Sequence, residues 1–210
     1  MPVTVLDVAP ARSRHSRRVL TDVSTVTVPN PLIRLLDITP GAIFESQNAL
    51  GVLIAENAYD PARERAFRIL GYRERSVKEL RDKLSDDGYP DVIVEKVVLR
   101  LLELDLLNDE RFALHLISTR RASHVGGVRI KRDLLRAGID TEVAQRLLET
   151  GHEPHQELES ARRVLRGKRA STAREGQKLV ARLIRRGFSI ETARKVVAEP
   201  PDHSDNDTSM

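Results

Sequence analysis

The sequence predicts an all-α fold, three tandem three-helix modules in an elongated array, behind a small N-terminal extension with some β character. Three observations predict it. Charged residues make up 31% of the 210-residue chain and aromatics only 3%, a mixture that suits small amphipathic helices better than sandwiches or barrels. Gly88, Gly138 and Gly187 stand 50 and 49 residues apart, each inside the same apolar pattern. Residues that cap helix N-termini recur ahead of those patterns, followed by acids that favour the positive end of a helix dipole.

The first sixty residues differ from the rest. Residues 3–8 and 24–28 have the β-branched alternation of short strands, separated by the basic stretch 11–18, so a hairpin-like element is expected. Pro29, Pro31, Pro40 and Gly41 then break the chain, and residues 43–58 either return as a helix or stay irregular. Helical punctuation becomes regular at Asp60-Pro61, an N-cap residue ahead of a proline tolerated at the first helical position. Module one spans 61–107, module two 108–151 and module three 152–199, with a disordered acidic tail at 200–210; nine helices are expected in all.

Within each module a first helix precedes a second that ends at the glycine, and a third packs back on it. Ser76-Val77-Lys78-Glu79 reads as a capping box, and Asn108, Asp140 and Ser189 as further N-caps. Eight residues before each glycine stand Leu80, Ile130 and Leu179; four before, Leu84, Leu134 and Leu183; directly after, Tyr89, Ile139 and Phe188. Six, nine and ten residues after come Val94, Ala144 and Ala193, then Val97, Leu147 and Val196, then Val98, Leu148 and Val197. These positions form a core stripe, and the glycine is expected in the left-handed conformation that closes a helix.

Composition limits function. No apolar run reaches the roughly 18–20 residues a membrane span needs, and the absence of cysteine excludes disulfides, thiolate metal sites and cysteine nucleophiles. A cytoplasmic protein is the default expectation. The phosphate-loop, His-Glu-x-x-His, Gly-x-Ser-x-Gly and dinucleotide-binding patterns are all missing, so neither an enzyme nor a cofactor is expected. Gly126-Gly127 reads as a linker or helix entry, and His152 and His155, flanking Pro154, lack the further ligands a metal site requires.

Net charge is −1 over residues 1–60, 0 over 61–107, +3 over 110–149 and +8 over 156–195. Positions nine, six and two before each glycine share one exposed helix face, which carries Glu79, Asp82 and Asp86 in module one. In module two it carries Arg129, Arg132 and Arg136, and in module three Lys178, Ala181 and Arg185. Module three adds Arg174, Arg182 and Arg186. This face is expected to meet a polyanion through its backbone, without sequence preference, since aromatics for base stacking are scarce. The plainer reading is an Arg-rich face that only meets solvent.

At these residues the chain resembles the RecX regulatory proteins, which modulate the RecA recombinase. The resemblance is carried by Leu70-Gly71-Tyr72-Arg73-Glu74-Arg75-Ser76-Val77-Lys78-Glu79-Leu80, by Leu106-Leu107-Asn108-Asp109-Glu110-Arg111-Phe112-Ala113, and by Gly127-Val128-Arg129-Ile130 through Leu134 to Gly138-Ile139. It covers residues 61–150 and reaches module three only through the repeat. It implies a monomer that binds RecA and the RecA–DNA filament and restrains ATP turnover, strand exchange and co-protease activity in recombination, repair and the SOS response. Arg73, Arg75, Glu79, Asp82 and Asp86 would then face protein. Two other readings stay open: a helix-turn-helix-like DNA-binding transcription regulator, and a helical scaffold without nucleic-acid contact.

Overall fold

A computed structural model describes residues 1–150 and 154–199; the expected acidic tail and His152 lie outside the described residues. The chain divides into two compact units, residues 1–112 and the remainder from Ala113.

The first unit begins with β1 (Val3–Pro10), β2 (Ser16–Thr21), β3 (Thr25–Pro29), α1 (Asn30–Leu35), β4 (Ile43–Phe44) and α2 (Gln47–Asn57). The strands form one antiparallel sheet in the order β3-β2-β1-β4, with Val19 of β2 opposite both Val8 and Val26. The fold is therefore mostly helical, and the expected hairpin is corrected to a four-stranded sheet. The basic stretch is not the separator between two strands: Ser16, Arg17 and Arg18 open β2, the strand paired on both sides. Ser16, Val19 and Thr21 are buried while Arg18 stays exposed, so the charges ride on a strand whose inner face is closed. Residues 43–58 resolve into a short strand and a helix capped by Ser46, whose side chain accepts from Ala49 N–H.

Three further helices follow, α3 (Tyr59–Leu70), α4 (Val77–Asp86) and α5 (Asp91–Glu103). Val5, Val19 and Val28 of the sheet share one core with Leu80, Leu84 and Leu101. The change at residue 60 is a change of secondary structure, not a gap in packing. Asp60 is not the N-cap expected of it: α2 runs almost directly into α3 through the buried Ala58, and Asp60 pairs with Arg63 inside the first turn at 3.1 Å.

The second unit contains most of α6 (Asp109–Ala122), which begins in the first, then α7 (Gly127–Arg136), α8 (Thr141–Glu149), α9 (Pro154–Leu165), α10 (Ala173–Arg186) and α11 (Ile190–Ala198). Among the described residues there are thus eleven helices, the two beyond expectation being α1 and α2. The caps at Asn108, Asp140 and Ser189 form as read: each side-chain oxygen accepts from amides two or three residues on. Thr172 and Glu175 make a complete capping box on α10.

The glycines behave alike. Gly88, Gly138 and Gly187 have φ of 88°, 85° and 94°, and the amide of the next residue reaches back to a carbonyl five residues earlier. The bonds are Tyr89 to Leu84, Ile139 to Leu134 and Phe188 to Leu183, at 3.1–3.2 Å. Of the eighteen stripe positions, Leu148, Leu179 and Val197 are partly buried and the others buried. α9, α10 and α11 pack around Ala161, Leu165, Leu183 and Phe188.

Tyr89 shows how tightly one such turn closes. Its hydroxyl donates to the Pro61 carbonyl at 3.1 Å, and burial, ahead of the nearby Asp87 charge, pushes the phenol up to about 12. The folded pKa lies above the unfolded value of about 10, so the stabilisation is complete below pH 10 and disappears between about pH 10 and 12. Absorbance titration at 295 nm should show Tyr89 ionising in a late step, together with unfolding. Tyr89→Phe should remove that late step, and a late step that persists would contradict the assignment.

Candidate functional site

The expected basic face lies on α7 and α10. Arg129, Arg132 and Arg136 are exposed along α7, and Arg174, Lys178 and Arg185 along α10, whereas Arg182 and Ala181 are half-buried. Among the described residues, the side chains of Arg132, Arg136, Arg174, Lys178, Arg182 and Arg185 meet no carboxylate. Residues 61–111 contrast with this: Arg63, Arg65, Arg68, Arg73, Arg75, Arg81, Arg100 and Arg111 all stand within 4.0 Å of an acid.

The structure joins the two basic helices end to end, a contact the sequence did not announce. Gly126 N–H donates to the Arg186 carbonyl and Val128 N–H to the Gly187 carbonyl, both at 3.1 Å. The C-terminal end of α10 thereby faces the N-terminal end of α7, which satisfies orphan groups of both helices and aligns their dipoles favourably. Two glycines make the approach possible. A Cβ on Gly126 would lie 2.2 Å from the Gly187 carbonyl oxygen, and one on Gly187 would lie 2.2 Å from the Arg129 Cβ. Gly126 is therefore a packing residue, beyond the helix entry it was read as.

This junction also claims two of the expected contact residues. The Arg186 guanidinium donates to the Ser123 and His124 carbonyls, at 2.8 and 3.3 Å, closing the C-terminal end of α6. Arg129 reaches the Arg185 carbonyl at 3.4 Å.

Gly187→Ala should be more destabilising than Gly167→Ala. Both glycines have positive φ, which costs an alanine about 1–2 kcal/mol, but a Cβ on Gly167 meets nothing within 4 Å. Equal losses in thermal unfolding would show that the junction contributes nothing.

The acidic counterpart is less open than its sequence suggests. Glu79 is engaged by Arg73 at 3.0 Å and Arg75 at 3.4 Å, and the Ser76 hydroxyl accepts from Glu79 N–H, so the Arg-x-Arg-Ser-x-x-Glu run folds on itself. Asp82 pairs with Lys78, and Asp86 stays exposed. Glu74 binds Arg111 at 2.7 Å and the Asp109 carboxylate accepts from Val77 N–H at 2.8 Å, so two of the separated sequence motifs meet in space. The buried Asp87 was missed. It accepts from Arg65 at 2.7 Å and from the Ser13 hydroxyl, tying the β1–β2 loop to the end of α4. His155 pairs with Glu159 at 3.4 Å. No described helix is long and apolar enough to cross a membrane.

Comparison with known proteins places these features. Residues 62–101 match the model for the first three-helix domain of RecX, and residues 108–148 the model for the second. A regulatory protein RecX of Prosthecochloris aestuarii is 32% identical over 139 residues, covering 66% of this chain and 92% of the relative. One from Mycobacterium leprae is 34% identical over 145 residues, covering 66% and 84%. One from Caldanaerobacter subterraneus is 31% identical over 136 residues, covering 65% and 68%. A crystal structure of a regulatory protein RecX has a TM-score of 0.60 at 18% identity, covering 94% of this chain and all of the other. That of RecX from Lactobacillus salivarius has a TM-score of 0.58 at 23% identity, covering 66% and 94%, and both likenesses concern the fold.

Proposed function

The chain belongs to the RecX family, and from that premise we propose that it binds RecA and the RecA–DNA filament and restrains ATP hydrolysis, strand exchange and co-protease activity, acting in the cytoplasm as a monomer without chemistry of its own. The observation that carries the reading is the contrast in charge pairing. Residues 61–111 pair all eight of their arginines with acids, while Arg132, Arg136, Arg174, Lys178, Arg182 and Arg185 of α7 and α10 meet no carboxylate among the described residues.

Arg129, Arg132, Arg136, Arg174, Lys178, Arg182 and Arg185 would supply phosphate contacts, and Arg186 would hold the two helices in position for them. At about 1.5 Å per residue these cations cover about 10 Å of α7 and about 16 Å of α10, room for several phosphates of a strand. Asp82 and Asp86, with the ion-paired Arg73, Arg75 and Glu79, would face protein. In this reading α9–α11 are a third copy of the module, and the copies are alike in their cores and unlike on their surfaces.

RecA, single-stranded DNA and ATP mixed with the pure chain provide the test. Hydrolysis and strand exchange should fall as the chain is titrated in; both unchanged at stoichiometric excess would end the proposal. Selective binding to one duplex sequence would instead favour a transcription regulator, and salt-independent binding to a protein partner would favour a scaffold.

A further inference from the structure

A second cationic feature lies in the first unit, where the sequence placed the acidic end of the molecule. The β1–β2 loop lies against the middle of α3 and the C-terminal end of α4, and an open cavity of about 320 Å³ there is lined by Arg12, Ser13, Arg14, His15, Arg65, Lys83, Asp86 and Asp87. Four fixed cations face two carboxylates. One of those carboxylates, Asp87, is already committed to Arg65 and to the Ser13 hydroxyl, which leaves the exposed Asp86 as the open acid.

The cations are less committed. Among the described residues Arg12, Arg14 and Lys83 stand in no ion pair, and Arg14 spends only its Nε, on the His15 ring at 3.2 Å. The Lys83, Leu84 and Ser85 carbonyls at the end of α4, which would repel an anion, accept from the amides of Asp87, Tyr89 and Gly88. His15 has its pKa held below the ordinary imidazole value, by burial first and then by Arg65, the direction a surplus of neighbouring cations produces. Arg14 and Arg68 push the same way and Asp87 opposes them.

No apolar or aromatic carbon side chain apart from the His15 ring lines the cavity, so it offers a nucleobase little to stack on. Its size lies at the small end of the range for ligand pockets, roughly 300–1,000 Å³. Guanidinium groups from one loop, backed by a third guanidinium and an ammonium from two helices, are a donor set for tetrahedral oxyanions. We propose that this cavity seats a phosphate group, free or carried by a nucleic-acid strand, as an anion site distinct from the basic face of α7 and α10. The site is independent of any role toward RecA.

Two probes and two variants test it on the full chain: inorganic pyrophosphate and a short oligothymidylate, against Arg12→Glu with Arg14→Glu, and separately Lys83→Glu. All three side chains are exposed, and circular dichroism checks that each variant folds. Calorimetry should show pyrophosphate binding that weakens about tenfold or more in both variants, while Arg12→Lys with Arg14→Lys retains most of it. If pyrophosphate does not bind but oligothymidylate does, with a salt slope that falls by about one to two units in the Glu variants, the phosphate is one carried by a strand. Variants that bind both probes like the native chain, or a native chain that binds neither, would overturn the site. Loss of RecA inhibition by the α7 variants leaves these outcomes unchanged, so the two proposals fail separately.

Discussion

Arg129→Glu, Arg132→Glu and Arg136→Glu combined should abolish most inhibition of RecA at concentrations where the native chain is saturating, with helix content unchanged. All three positions are exposed on α7, and among the described residues none is paired with an acid. Each reversal replaces a phosphate-seeking cation with an anion facing the same strand. Three lost contacts remove about two units from the salt slope on single-stranded DNA, and repulsion adds to that, so affinity should fall on the order of a hundredfold or more near physiological salt. Leu134→Ala on the same helix separates binding from folding. Leu134 is fully buried, and its truncation should cost about 2–5 kcal/mol in denaturant unfolding, with inhibition per folded molecule preserved. If the charge reversal also loses helicity, or if inhibition survives it, α7 is not the contact.

The second large effect is expected at Asp87. Its side chain is 5% exposed and that of Arg65 16%, so Asp87→Ala leaves a guanidinium with little water and no carboxylate, while the Ser13 hydroxyl loses its acceptor. Breaking a buried pair from one side typically costs about 3–5 kcal/mol, because the remaining charge is stranded. Part of the loss should appear as loosening of the sheet, since Ser13 links the β1–β2 loop to α4. The neighbouring Asp86→Ala is the control: its side chain is exposed, and it should lie within about 0.5 kcal/mol of the native chain. Equal effects at the two positions in urea denaturation would contradict the account of the pair.

What could be read from the sequence follows the range of the interactions. Caps at Ser76, Asn108, Asp140 and Ser189, and the left-handed glycines, depend on partners within about five residues, so local spacing revealed them. The core stripe was legible because it repeats. Strand β2 was not: its partners lie up to 16 positions away on both sides, and Arg17-Arg18 interrupts the alternation by which a strand is recognised. Asp87 binds residues 22 and 74 positions away, and no pattern within α4 marks it.

The candidate site divides in the same way. That α7 and α10 carry cations is a matter of composition and helical period, and their exposure agrees with that expectation, with Arg182 and Ala181 more covered than expected. That Arg186 closes α6, and that Gly126 and Gly187 let two helix ends meet, depends on how distant helices pack. A close-approach glycine resembles a linker glycine until its neighbour is known. The position before the turn glycine shows this: Asp87, Ala137 and Arg186 each directly precede a left-handed glycine, yet Asp87 holds a loop and Arg186 caps a helix.

The most direct measurement of the central claim is the affinity of the chain for the RecA filament on single-stranded DNA, followed by anisotropy from low to high salt. The native chain and the Arg129, Arg132, Arg136 charge reversal are compared. The account predicts a steep log–log line for the native chain and a line shallower by about two units for the reversal, the two converging at high salt where phosphate contacts no longer count. Parallel lines of equal slope would contradict it, because α7 would then be contributing no contact to the polyanion.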